Sequence, residues 1–169
     1  MILNIFNFAT NNYLIMIQRI QTLYLLIADL LIAVLFFVPF AEMMSNQGRT
    51  FLFNLSGIVS EAEANGTISQ KSWPLFVLTC LIFALLIYVI FQYKNRVRQK
   101  QLAYLTIFLL IGLTATIYFS VWKCTNILGG NYSMKIYAAF PLVAVVFVFL
   151  AIRGISKDEH LVKSIDRIR

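Results

Sequence analysis

The chain has 169 residues, of which 60% are apolar, 15% aromatic and 12% charged. A soluble domain usually carries about 45–50% apolar and about 25% charged residues, so this chain has too little charge to cover a surface that faces water. The composition therefore indicates an integral membrane protein. It argues against an intrinsically disordered chain, a disulfide-rich scaffold and an ordinary soluble enzyme.

Four apolar segments are long enough to cross about 30 Å of hydrocarbon, which takes about 20 helical residues. They comprise residues 22–40, 73–93, 102–122 and 136–152. Because lipid offers the backbone no hydrogen-bond partner, each segment must close its own bonds as a helix. The sequence therefore predicts a single-domain, all-α integral membrane fold, a bundle of four transmembrane helices.

The amino terminus differs in composition from the rest of the chain. Residues 1–15 are dominated by Ile, Asn, Phe, Leu and Tyr, whose codons are rich in A and T. This is typical of an upstream stretch that precedes the true start. Met16, which is followed by Arg19 and then the apolar run, is a more ordinary beginning for a first membrane helix. We expect translation to begin at Met16; the alternative is that residues 1–15 form an extra segment lying along the bilayer.

Lysine and arginine are divided unequally between the two ends of the predicted helices. Ten precede the first span, connect the second to the third, or follow the fourth, whereas four lie in the other two connections. The positive-inside rule therefore predicts that both termini and residues 94–100 are cytoplasmic. Topology and contact with anionic lipid headgroups account for the net charge of +7, so nucleic acid is not an expected partner.

The first outer connection is predicted to form a small cap over the bundle. Phe51, Phe53 and Leu55 recur at every second position, which is the period of a half-buried strand. Asn65-Gly66 favours a tight turn before a short return strand at residues 67–69. Together these patterns predict a two-stranded hairpin.

The carboxy-terminal segment is predicted to be an amphipathic cytoplasmic helix separate from the fourth span. Ser156 and Glu159 form a capping-box pattern at its start. The candidate lipid-facing or partner-facing residues of this tail are Leu161, Ile165, Ile168 and Arg167. The three apolar residues recur at helical spacing and are expected to lie on the inner membrane surface. The alternative is docking onto a partner protein or onto residues 94–100.

Asp29 is the only charged residue inside a predicted span. A carboxylate at the centre of a membrane helix costs about 2.5–3.5 kcal/mol on insertion scales, so such a group usually faces a partner, water or a pathway. Tyr88 and Thr106 are expected at a similar depth on the second and third spans and could hydrogen-bond to it. The pattern favours a structural hydrogen bond, with contact to another subunit and ion or proton handling as open alternatives.

The third span carries small residues at Gly112, Thr116 and Ser120. This spacing favours close helix packing, either inside the bundle or against another protein.

Catalytic and cofactor signatures are missing from the sequence. The single histidine, His160, lies in the tail, so haem ligation within the bundle, a zinc site and a nucleophile–histidine pair are not expected. Cys80 and Cys124 lie at different depths, which argues against a disulfide. We expect no cofactor, no metal and no enzymatic activity.

Two segments of the chain resemble a known family. Residues 16–28, MIQRIQTLYLLIA, and residues 151–169, AIRGISKDEHLVKSIDRIR, are similar to small four-span inner-membrane proteins of the Bacteroidota that carry a domain of unknown function. The resemblance covers essentially everything after residue 15. It implies four spans in a bacterial inner membrane with both termini in the cytoplasm, and it implies no catalytic or ligand residues.

The expected function is that of an accessory or scaffolding subunit of a larger membrane complex, with a protein partner in the membrane. The reason is that uninterrupted spans with one buried charge leave little that could convert or conduct a substrate. The alternative is a small transporter or proton-coupled channel that works through Asp29.

Overall fold

The computed structural model describes residues 20–44, 50–60, 68–128 and 131–166. Four α-helices and five short β-strands follow one another along these residues. In chain order they are α1 (Ile20–Val34), β1 (Ala41–Met44), β2 (Thr50–Asn54), β3 (Gly57–Ser60), β4 (Ile68–Lys71), α2 (Trp73–Phe91), α3 (Arg96–Leu128), β5 (Asn131–Met134) and α4 (Phe140–Asp166). The prediction of a mostly helical chain is confirmed.

Helix α1 ends at Val34, six residues before the predicted end of the first span. The chain then tightens into a turn in which the N–H groups of residues 35, 36 and 37 each donate to the carbonyl three residues earlier. Pro39 explains this end, because a proline disfavours a helical conformation in the residue before it and has no N–H to donate. The predicted limit at residue 40 is therefore too long.

The other three helices are long and apolar enough to cross a membrane. Helix α2 begins where the second span was predicted to begin and ends two residues earlier, and a short 3₁₀ turn over Gln92–Lys94 follows it. Helix α3 extends six residues beyond the predicted third span at each end. A 3₁₀ turn over Ile136–Ala139 leads into α4, where Pro141 lies in the first turn and costs the helix no internal bond.

Helix α4 contains the predicted fourth span and the tail as far as Asp166, the last residue that the structure describes. It runs without interruption to Asp166, so Ser156 lies inside the helix instead of capping a new one. The prediction of a separate tail helix is wrong, because no proline or turn sequence follows the apolar run and helical bonding simply continues into the polar residues.

The helices pack around one apolar core. Helix α3 packs against both α2 and α4. Helix α1 and the turn after it, which together we call the α1 segment, contact both α2 and α4. Phe36 in the turn packs edge-to-face against Phe83 of α2 at 6.0 Å between ring centroids, and the ring centroid of Tyr24 lies 6.4 Å from that of Phe147 in α4. Fully buried residues of this core include Leu25, Ile32, Ile82, Leu86, Leu110, Leu113, Ile117 and Val148.

Most of the apolar helix surface faces outward. Within the most apolar part of α2 only 28% of the residues are buried, and the corresponding values are 33% for α3 and 39% for α4. A soluble protein rarely exposes so much contiguous apolar surface. The helices are therefore compatible with membrane insertion.

A five-stranded antiparallel sheet joins the helix ends that lie away from the tail, with the strand order β4-β3-β2-β1-β5. It is larger than the predicted hairpin and paired differently, because β4 pairs with β3 and not with β2. Gly57 accounts for this pairing: its φ of 135° permits the two-residue turn at Leu55 and Ser56 that sets Gly57 opposite Asn54. The turn predicted at residues 65 and 66 lies outside the described residues.

Phe40 connects the two chain segments that build the sheet. Its N–H donates to the carbonyl of Phe53 and its carbonyl accepts from the N–H of Lys135, both at 2.8 Å. Its fully buried ring packs against the Phe53 ring at 6.1 Å between centroids. Nearby, the Lys135 ammonium lies 2.6 Å from the Glu42 carboxylate at the sheet surface.

We expect Phe40→Ala to lower the free energy of unfolding by about 3–5 kcal/mol, the range for removing a buried aromatic ring. Thermal unfolding of the purified protein in detergent, followed by circular dichroism, measures the change. Phe37→Ala is the matched control, because the Phe37 side chain is 87% exposed. Equal losses in the two variants would contradict the role assigned to Phe40.

Candidate functional site

Asp29 lies at the border of the buried stripe of α1. That stripe consists of Gln21, Leu25, Ala28, Ile32 and Leu35. Their spacing of four and three residues is typical of a helix that packs along one face. Asp29 precedes Phe36 by two helical turns, so it lies on the side of α1 that faces α2. The side chain is partly buried.

The carboxylate of Asp29 is not satisfied by the described part of the chain. Its Oδ1 atom is buried and has no hydrogen-bond partner there. A buried polar atom without a partner costs about 1–3 kcal/mol. The geometry therefore places an unpaired, buried acceptor at the edge of the packed face of α1, on the side of α2.

The two hydroxyl residues predicted to accompany Asp29 are placed elsewhere. Tyr88 is 53% exposed on the outward side of α2. Thr106 is buried, and its hydroxyl donates to the Leu102 carbonyl at 2.9 Å. Neither hydroxyl bonds to Asp29 among the described residues.

The buried threonines satisfy their hydroxyls within their own helices. Thr79 donates to Leu75 at 2.8 Å and Thr114 donates to Leu110 at 2.9 Å. Such bonds to the carbonyl four residues earlier leave no donor for a neighbouring helix. The hydroxyls of Thr79 and Thr114 therefore leave no free donor toward the centre of the described bundle.

Sequence reasoning missed two buried polar residues at the end of the bundle nearest the tail. Gln99 is 5% exposed and its Nε2 donates to the Val89 carbonyl at 3.2 Å, which satisfies the end of α2. Gln21 is 6% exposed and packs on Gly154. The signal was present, because each glutamine continues the four-and-three spacing of its helix beyond the apolar run.

Arg96 also contributes a polar atom without a partner. One of its guanidinium nitrogens, Nη1, is buried at the start of α3 and has no hydrogen-bond partner in the described ranges. The first residue of α3 therefore carries a cationic group with one buried donor that the described residues leave unpaired.

The small residues of α3 differ in exposure, since Gly112 faces outward whereas Thr116 and Ser120 are half-buried. A Cβ built on Gly112 meets nothing within 4 Å, so this glycine makes no close helix contact inside the bundle. The Gly112–Thr116–Ser120 spacing was predicted to mark close packing either inside the bundle or against another protein. At Gly112, the prediction of a contact inside the bundle is wrong.

The tail candidates fall largely outside the described side chains. Leu161 and Ile165 lie in α4, of which only the backbone is described at these positions, and Arg167 and Ile168 lie beyond it. Their surface role stays a prediction.

A cleft of about 350 Å³ lies between the first turn of α2 and the outer part of α3. It is lined by Ser72, Pro74, Leu75, Thr116, Phe119, Ser120, Lys123 and Cys124. Three hydroxyls, one ammonium and an apolar floor therefore converge at the end of the bundle that carries the sheet. No group of three or more metal-ligating residues occurs within the described ranges.

Gly154 and Gly112 provide a matched pair for testing the bundle. A Cβ on Gly154 would lie 2.9 Å from Cγ of Gln21, so Gly154→Ala is expected to destabilise the protein by about 1–3 kcal/mol through overpacking. Gly112→Ala meets open space and is expected to stabilise it by up to about 1 kcal/mol through helix propensity. Thermal unfolding in detergent measures both changes. Gln21→Ala should restore the stability of the Gly154→Ala variant, and an absence of rescue would contradict the contact.

Comparison with known proteins identifies a family without adding an activity. No curated protein matches the chain. The model of one family, described as a domain of unknown function (DUF4293), matches residues 17–168. The match begins next to the predicted start at Met16 and takes in all four helices. The chain belongs to the DUF4293 family of domains of unknown function.

Proposed function

We propose that this chain is a four-span structural subunit of a membrane complex and that Asp29 marks its contact with a partner protein. The observation that carries the proposal is the buried, unpaired Oδ1 of Asp29 in an apolar helix. Such a group is stabilised when another chain supplies a donor, and polar groups are used in this way between membrane helices.

The proposal requires the α1 segment to cross the bilayer as well as the three longer helices. From Ile20 to Phe37 the α-helix and its tightened turn are about 28 Å long, at about 1.5 Å per residue in the helix and about 2.0 Å in the turn. This length is close to the roughly 30 Å of hydrocarbon. Leu30 and Phe37 are 59% and 87% exposed, which suits contact with lipid along the segment.

The basic residues support an orientation with both termini in the cytoplasm of a bacterial inner membrane. Arg96, Arg98 and Lys100 lie at the start of α3, and Arg153 and Lys157 lie in the part of α4 that leads into the tail. The guanidinium of Arg96, which is half-buried at the start of α3, is suited to a phosphate of an anionic headgroup in the same leaflet.

The bonding of the buried threonines favours this structural role over transport. The hydroxyls of Thr79, Thr106 and Thr114 donate within their own helices, so none of them donates toward Asp29. No observation favours the proton-coupled alternative.

Cysteine labelling tests the orientation. In a background with Cys80→Ala and Cys124→Ala, we expect Asn131→Cys to react with a membrane-impermeant maleimide added to intact spheroplasts and Asn95→Cys to react only after lysis. The reason is that Asn131 begins a strand of the sheet whereas Asn95 lies in the basic connection. Labelling of Asn95→Cys in intact spheroplasts would overturn the orientation.

Site-specific photocrosslinking tests the contact at Asp29. A photoreactive amino acid at Leu26, an exposed position one turn before Asp29, is expected to give a protein adduct of defined mass in native membranes. The same group at Phe108, which is 73% exposed on α3, is the control for general exposure. Asp29→Leu should abolish the adduct at position 26.

The stability of the isolated chain separates this contact from a role inside the bundle. Because Oδ1 has no partner among the described residues, we expect Asp29→Leu to leave the unfolding temperature in detergent unchanged or raised. A lowered unfolding temperature, or a position-26 adduct that survives Asp29→Leu, would show that the proposal is wrong.

A further inference from the structure

The cleft between α2 and α3 combines an apolar floor with a cationic opening. Pro74, Leu75 and Phe119 supply the apolar surface, while Lys123 is exposed at one side. Thr116 and Lys123 are seven residues apart on α3, so the cleft extends about 10 Å along that helix. The cleft is therefore elongated along the helix direction, with the ammonium at the sheet end.

Small side chains leave this space open. Ser72 and Ser120 face it from the two helices, whereas the neighbouring bulky residues Trp73 and Trp122 point outward and are 63% and 57% exposed. The volume of about 350 Å³ lies within the range of about 300–1,000 Å³ that is usual for small-molecule sites.

The depth of the cleft is that of the lipid headgroups. Helix α2 begins at Trp73, where the polar sheet segment gives way to an apolar helix. Exposed tryptophans are enriched where membrane helices meet the headgroup region, and Trp73 and Trp122 flank the cleft. The molecules concentrated at this depth have a polar head and an acyl chain.

The charges at the opening favour an anion. Lys123 forms no ion pair with any residue that the structure describes. Helix α2 has no acidic residue in its first turn and no side-chain cap from Ser72, so the positive end of its dipole adds to the Lys123 charge. Glu42, the acidic residue described in the sheet, is paired with Lys135 instead.

We propose that this cleft binds one phospholipid from the leaflet on the sheet side. The phosphate diester lies beside Lys123 and accepts hydrogen bonds from the ammonium and from the Ser72 and Ser120 hydroxyls. One acyl chain lies against Pro74 and Phe119. The site is independent of Asp29 and of the orientation of the chain, because it requires only that α2 and α3 lie in a bilayer.

Native mass spectrometry of the full chain released from detergent micelles tests the site. With added phosphatidylglycerol or phosphatidylethanolamine, the wild-type protein is expected to retain one lipid. Diacylglycerol with the same acyl chains, which lacks the phosphate, and inorganic phosphate, which lacks the acyl chains, are expected to be retained far less. Equal retention of diacylglycerol, or an adduct with inorganic phosphate alone, would overturn the phospholipid site without requiring any variant.

Two variants, each with a matched control, locate the bound lipid. Ser120→Phe fills the cleft and is expected to abolish retention, whereas Ala115→Phe adds the same bulk at an exposed position of α3 and should not. Lys123→Ala is expected to weaken retention about tenfold, as for loss of a hydrogen bond to a charged group, while Lys135→Ala should leave it unchanged. Retention that is equal in Ser120→Phe and wild type, with unchanged helical content, would overturn the assignment to this cleft.

Discussion

The structure depends on the backbone of Phe40, which joins two distant parts of the chain. Phe40 lies in the connection between α1 and α2, and its N–H donates to the carbonyl of Phe53 in the same connection. Its carbonyl accepts from the N–H of Lys135 in the connection between α3 and α4. Both bonds lie beside a fully buried ring, where an unpaired backbone group would be costly. The antiparallel pairing of β1 with β2 and β5 extends from this point and holds the helix ends in one arrangement.

Below the sheet, the described helices associate mainly through apolar packing and close approach at small residues. The buried threonines are bonded within their own helices, and Gly154 lets the Gln21 side chain pack on α4. Among the described side chains, buried polar atoms without a partner remain at Asp29, Asn54 and Arg96. The described part of the chain does not satisfy these atoms; Asp29 and Arg96 lie in the helices, whereas Asn54 lies in the sheet.

Sequence patterns predicted the ends of a helix well where residues next to those ends, such as a proline or a run of basic residues, stop the helix. Helix α2 begins beside Pro74 and ends before the basic connection, so its limits could be predicted to within two residues. The end of α1 was predicted too late in the chain because two effects combine there. Pro39 interrupts the helix, and the backbone of Phe40 bonds to Phe53 and Lys135, which are 13 and 95 residues further along the chain. The continuity of α4 was missed because Ser156 and Glu159 match the pattern that starts a new helix. In the structure both residues lie inside one helix, so no new start is needed.

For the site, sequence alone identified Asp29 as the charge inside an apolar segment, because the cost of that residue in lipid does not depend on its neighbours. It could not identify the surroundings of Asp29, since the exposure of Tyr88 and the bonding of Thr106 follow from how each helix is rotated in the bundle. Composition and hydropathy determined where the apolar segments lie and that they are compatible with membrane insertion. Only the tertiary structure decided that two separate connections form one sheet and that α2 and α3 enclose a cleft, because both features depend on contacts between residues far apart in the chain.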